Sequence, residues 1–162
     1  MKTSLKLGLV ALAALAGAGA AHADPDGPHR GKGYFKNIVR LEQNGHGNGA
    51  AQAQTGAGNV SAISQTGIAN TGATSQTGVN NTAVINQKGN NNDAVIIQTG
   101  SNNQGCLLQV GNNLDAQLIQ DGGQSANVLQ TKKGTALVSQ QVCEQGGLPK
   151  GRMSRLVKIA AN

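Results

Sequence analysis

Aliphatic side chains recur along this chain at one phase of an 11-residue period: Ile63, Ile85, Ile96, Leu107, Leu118 and Leu129, with Gln52 and Thr74 holding the same phase in the other units. Nine residues before each of them stands a Gln. Gln43, Gln54, Gln65, Gln76, Gln87, Gln98, Gln109 and Gln120 follow one another without a slip. Two residues after each Gln comes a Gly: Gly45, Gly56, Gly67, Gly78, Gly89, Gly100, Gly111 and Gly122. Five after it comes Asn, as Asn48, Asn59, Asn70, Asn81, Asn92 and Asn103, replaced by Leu114 and Ser125 in the last two units. Seven after it the residue is small or polar: Ala50, Ser61, Gly72, Ala83, Ala94, Gly105, Ala116, Asn127. Eight units in one register make the repeat the first fact about the fold.

A unit of this length is too short for a helix pair and fits one strand and one tight turn. The Gly sits where a turn needs positive φ or a bare backbone. The Asn, small, aliphatic and Gln positions that follow share parity, so in a strand they share one face. The expected fold is all-β: a β-solenoid (β-helix) of 11-residue strand-turn units, two units per rung, of the cross-β, amyloid-forming kind. Alternate units then lie on opposite sheets and like residues stack along the axis. Stacked Asn and Gln amides donate to the next rung roughly 4.8 Å away. Buried amides are costly unless paired, and a ladder pairs them. A disordered Gln/Asn-rich tract needs neither a fixed register nor an aliphatic residue at one phase.

The opposite parity faces solvent and is mostly Thr, Asn, Ser or small, turning apolar at Val95, Ile97, Leu108 and Ile119. These four read either as scattered surface aliphatics or as a dry lateral contact between filaments. Thr55, Thr77 and Thr99 fall in one outward column, a series that Val110 and Asp121 interrupt. After Gln120 the spacing drops: Gln130 and Gln140 follow at intervals of ten, and Lys132-Lys133 replaces the Gly turn. Lysines on an edge discourage further pairing, so growth at this end is expected to be limited.

Composition agrees with an elongated domain. Tyr34 and Phe35 are the single Tyr and Phe, and Trp is absent, which is sparse for a conventional globular core. Residues 1–23 read as a secretory signal peptide: Lys2 and Lys6, an apolar run from Leu7 to Ala16, and Ala21-His22-Ala23 before the cleavage point. Residues 24–42 form a leader, either a sorting segment or, at Tyr34 to Leu41, an irregular first strand. The solenoid is expected over 43–140 and a basic tail over 141–162. Loss of Lys2 and Lys6 lowers the formal net charge from +6 to +4. From Thr131 onward six Lys/Arg face only Glu144. Such a tail suits an anionic cell-surface polymer, or simply aids solubility. No motif for sequence-specific nucleic-acid reading and almost no stacking aromatic is present.

Cys106 and Cys143 are the only cysteines. In an exported protein they form a disulfide, stay free, or link chains. Cys106 has outward parity, within reach of a tail folded back over the sheet. Nothing reads as catalytic. His29 and His46 have no metal-ligand or triad partner at useful spacing, and the glycines are accounted for by turns. No cofactor and no enzymatic activity are expected.

The pattern Gln-x-Gly-x-x-Asn-x-Ala-x-x-x-Gln resembles the curlin repeat of bacterial curli subunits. Units 76–87 and 87–98 match it fully, and 98–109 matches with Gly105 in place of Ala. Curlin repeats alternate two kinds of strand, whereas every unit here follows one pattern. The resemblance implies an exported subunit that polymerises with itself and other curlin-like subunits into a cross-β fimbrium for adhesion and biofilm matrix. It also implies passage through a curli-type outer-membrane export machinery. Within that family a basic C-terminal repeat marks the minor, nucleating subunit. The alternative reading is a monomeric β-solenoid binding module, an adhesin or ice-binding protein.

Overall fold

The computed structural model describes residues 36–145 and 157–158. The expected signal peptide, most of the leader with His29, and most of the basic tail lie outside the described residues.

Nine strands alternate between two parallel sheets. β1 (Ile38–His46), β3 (Val60–Ile68), β5 (Thr82–Asn90), β7 (Gln104–Val110) and β9 (Ser125–Thr131) build the odd sheet. β2 (Gly49–Ala57), β4 (Thr71–Val79), β6 (Asp93–Ser101) and β8 (Asp115–Asp121) build the even sheet. Each strand pairs with the strand two ahead, so Leu41, Ile63, Ile85 and Leu107 stack in one column. Thr74, Ile96 and Leu118 stack in the facing column. The chain is therefore a β-solenoid whose rung is 22 residues, as Ile63 opposite Ile85 shows.

The core is thin. Ile63, Ala83, Ile85, Ala94, Ile96 and Leu107 are buried between the sheets, with Ala50, Ala116, Leu118 and Val128 partly buried against them. The small column lets the sheets close. A Cβ added to Gly72 would lie 3.1 Å from Ile63 Cγ2, and one on Gly105 would lie 2.6 Å from Gln120 Oε1.

Two positive-φ residues turn each corner. At Gly78, φ is +125° and a side chain would collide with the carbonyl oxygen of Gly100 one rung on; only glycine fits such an approach. Two residues later the chain passes through the left-handed region at Asn80, Asn91, Asn102 and Asn113, with φ of 57°, 53°, 62° and 56°. Asn tolerates that region better than other residues with a Cβ. Ala69 occupies the equivalent place with φ 56° and lacks this tolerance.

The solenoid departs from the expected boundaries at both ends. Regular pairing begins at Ile38, ahead of Gln43, because Asn37, Val39 and Leu41 already repeat the Asn, small and aliphatic columns. Parallel pairing stops at Thr131, short of residue 140. There the chain reverses at Lys132-Lys133, and β10 (Gly134–Leu137) pairs antiparallel with β9. Gln140 opens a short helix, α1 (Gln140–Glu144), capped by Ser139. β11 (Val157–Lys158) pairs antiparallel with β10.

Leu129 is buried, but on the outer face of the odd sheet and not in the expected column between the sheets. The corner before β9 is one residue shorter, so Val128 pairs with Leu107 while Leu129 pairs with Leu108 on the outer face. Leu129 is buried there, with Cys106, Leu108 and Cys143, under Val138 and Val142. Leu108 is thus covered by the chain's own helix and offers no lateral contact. Val95 and Ile97 are half-buried on the even sheet, while Ile119 is 63% exposed.

The strained corner yields a prediction. Ala69→Asn should stabilise the fold by about 1 kcal/mol by relieving left-handed strain. A higher urea midpoint at unchanged slope would show it.

Candidate functional site: amide ladders and end rungs

The Gln positions form two continuous ladders through the interior. In the odd sheet, Gln43 Nε2 donates to Gln65 Oε1 at 2.7 Å, Gln65 to Gln87 at 2.8 Å, Gln87 to Gln109 at 2.9 Å and Gln109 to Gln130 at 2.9 Å. In the even sheet, Gln54 donates to Gln76 at 2.7 Å, Gln76 to Gln98 at 2.8 Å and Gln98 to Gln120 at 2.7 Å. Every donation runs toward the C-terminal rungs. The same nitrogen also ties the sheets together: Gln65 Nε2 reaches Gly49 O, Gln76 Nε2 reaches Val60 O, and Gln87 Nε2 reaches Thr71 O. Gln65, Gln76, Gln87, Gln98, Gln109 and Gln120 are all 1% exposed or less. A buried amide is tolerated because both its donor and acceptor sides are used.

The Asn column runs the opposite way and serves the backbone. Asn48 Oδ1 accepts from the backbone N–H of Asn70, Asn70 from Asn92, Asn59 from Asn81, and Asn81 from Asn103. Their side-chain nitrogens donate to corner carbonyls, as Asn59 does to Gly78 O at 3.0 Å and Asn70 to Gly89 O at 2.8 Å. The column therefore pins each corner through its glycine carbonyl. Leu114 donates its N–H to Asn92 Oδ1 but has no side-chain amide to extend the column. In the final corner Gln124, not Ser125, takes the Asn place: Gln124 N–H donates to Asn103 Oδ1. The cause is the same lost residue that turned Leu129 outward. Ala126 likewise replaces Asn127 opposite Gly105.

Counting Asn only from Gln43 misses one member. Asn37 lies eleven residues before Asn48 and accepts from Asn59 N–H at 2.9 Å while donating to Gly56 O at 3.0 Å. Counting back from each Gln would also have found Val128, two residues before Gln130.

Cys106 and Cys143 are joined as a disulfide with Cα atoms 6.1 Å apart, closing 37 residues of sequence. The bond holds α1 on the outer face of the odd sheet, where Asn86 Nδ2 donates to Cys143 O at 2.7 Å. Thr55, Thr77, Thr99 and Asp121 stack on the even sheet, whereas Val110 lies on the odd sheet, outside that column. His46 is exposed at the end of β1.

A family model described as the curlin associated repeat matches residues 69–100 and 89–122. The chain carries curlin repeats. The matched stretch contains β4 through β8. The curlin-repeat register continues beyond it in both directions, since β1 to β3 and β7 to β9 pair in the same parallel manner. Columns deviate inside the matched stretch, with Thr74 in the aliphatic place and Leu114 in the Asn place, and beside it, with Gln52 in the aliphatic place and the short corner before β9. No curated protein and no solved structure matches the chain.

The ladder predicts position-dependent costs. Gln87→Leu strands Gln109 Oε1 and the carbonyl of Thr71 without donors, and should destabilise by about 2–4 kcal/mol. Gln43→Leu, at the exposed first rung, strands only Gln65 Oε1 and should cost less, about 1–2 kcal/mol. Urea titration of the two variants side by side would show the difference.

Proposed function

We propose that this protein is a structural, non-enzymatic subunit of a curli-type cross-β fibre on the cell surface, serving adhesion and biofilm matrix. The observation that carries the reading is that curlin repeats form a solenoid whose first rung leaves its inward columns uncovered: Val39 is 42% and Leu41 48% exposed, directly in line with buried Ser61 and Ile63. An uncovered rung with unpaired strand edges is a template for another chain. Export through the expected signal peptide and a curli-type outer-membrane machinery completes the reading. The basic tail would hold anionic cell-surface polymers and suits a minor, nucleating subunit.

One observation favours the alternative, a bounded solenoid acting as a monomeric adhesin or ice-binding module. β10, β11 and the disulfide-held α1 cover part of the C-terminal end. On the even sheet, however, the Thr column is only three long before Asp121.

The deciding experiment takes residues 24–162, reduced and unfolded, and dilutes them at several concentrations with an amyloid dye. Fibre assembly predicts a lag that shortens with concentration and reflections near roughly 4.8 and 10 Å. A soluble β-rich monomer that never polymerises would overturn the fibre reading and leave the binding module.

A further inference from the structure

The two ends of the solenoid are chemically different, and the difference decides what fits each. At the N-terminal end, Gln43 and Gln54 head the two ladders. Each donates forward, and no Gln precedes it. Gln54 Oε1 and Gln52 Oε1 are shut off from solvent and accept no hydrogen bond among the described residues. In every interior rung the equivalent ladder oxygen accepts from the rung before it, as Gln76 Oε1 does from Gln54. The missing partner is thus an amide N–H donor arriving from a preceding parallel rung. Val39 and Leu41 leave apolar surface uncovered at the same face.

The C-terminal end refuses such a rung. The edge of β9 is occupied by β10 in the antiparallel sense, and β10 is followed by β11. The Cys106–Cys143 bond, the Asn86 to Cys143 hydrogen bond and the packing of Val138 and Val142 on Leu108 and Leu129 fasten this segment down. On the even sheet, Leu114 ends the Asn column, so a following corner would find no Oδ1 acceptor. A parallel rung needs both sheets, and one is blocked.

We propose that the disulfide-bonded chain has a single stacking face, the rung of β1 and β2, and that its occupant is the C-terminal rung of a curlin-repeat chain lacking this cap. The proposal rests on the fibre-subunit reading and deepens it: the chain is an end unit. A second disulfide-bonded copy cannot supply the donor rung, because its own C-terminal edge is filled.

The test uses an uncapped form of the mature chain (residues 24–162) as the probe: Cys106→Ser, Cys143→Ser and Ala136→Pro together, the proline interrupting the β9–β10 ladder. Sonicated fibres of this form serve as seeds, and its soluble form as the elongating chain. Disulfide-bonded wild-type chain, added at the concentration of fibre ends, should bind about one per fibre and stop growth at the end that presents a C-terminal rung, leaving the opposite end growing, so that fibres imaged over time elongate from one end only. The disulfide-bonded Val39→Lys, Leu41→Lys double variant should neither bind nor stop growth at that end. Both sites are about half exposed in the free chain, so the variant should fold. Equal inhibition by that variant, or wild-type chain elongating seeds as fast as the uncapped form does, would overturn the single-face proposal while leaving the fibre reading intact. If the uncapped form makes no fibres at all, both fall.

Discussion

A glutamine amide buried between two sheets carries two donors and an acceptor that water cannot reach. Satisfying it requires an identical amide one rung above and another one rung below, at a fixed spacing and in the same rotamer. This requirement explains the period of the chain. Gln recurs every eleven residues because alternate strands serve alternate sheets, and each sheet needs one at every rung. The Asn column answers a second demand, the corner carbonyls and N–H groups that a sheet ladder does not reach. With the amides pairing one another, a core only one aliphatic residue wide suffices to hold the sheets at contact, and the near absence of aromatic residues follows.

The same requirement makes the ends consequential. A ladder has direction: here every Gln donates toward the C-terminus, leaving acceptors at the first rung. In a curlin-repeat protein that exposed rung is where the ladder's chemistry is incomplete. At the other end the chain spends a residue of its repeat. The shortened corner keeps Gln130 in its ladder but turns Leu129 outward, where it joins Cys106 and Leu108 in a second small cluster under α1. One deletion thereby ends the repeat and creates the seat for its cover.

Most of the fold was legible because the repeat is strict. The strand phase, the glycine corners and the inward columns from Gln54 to Gln120 follow from counting, as side-chain parity in a strand is fixed. The first strand was less legible. Its Asn37, Val39 and Leu41 obey the columns, but Lys32 and Tyr34 stand where Gln and Gly mark every other unit. The last strand misled for a related reason: counting forward from Gln120 crosses the shortened corner. The antiparallel cover had only indirect signals, Lys132-Lys133 in place of a turn glycine and an outward Cys106. Long-range pairing of a tail against a sheet face has no period to betray it.

The central claim is that each rung stacks on the next rung of the same chain, through a Gln side chain 22 residues away. Solid-state magnetic resonance of the uncapped chain (Cys106→Ser, Cys143→Ser, Ala136→Pro), assembled into fibres with ¹⁵N at Gln87 Nε2 and ¹³C at Gln109 Cδ, tests it most directly. Fibres diluted with unlabelled chain should keep the full Gln87–Gln109 contact, because it lies within one molecule. A contact that fades on dilution, or a Gln87–Gln87 contact between neighbouring chains, would mean that the chains stack in flat register and would contradict the solenoid.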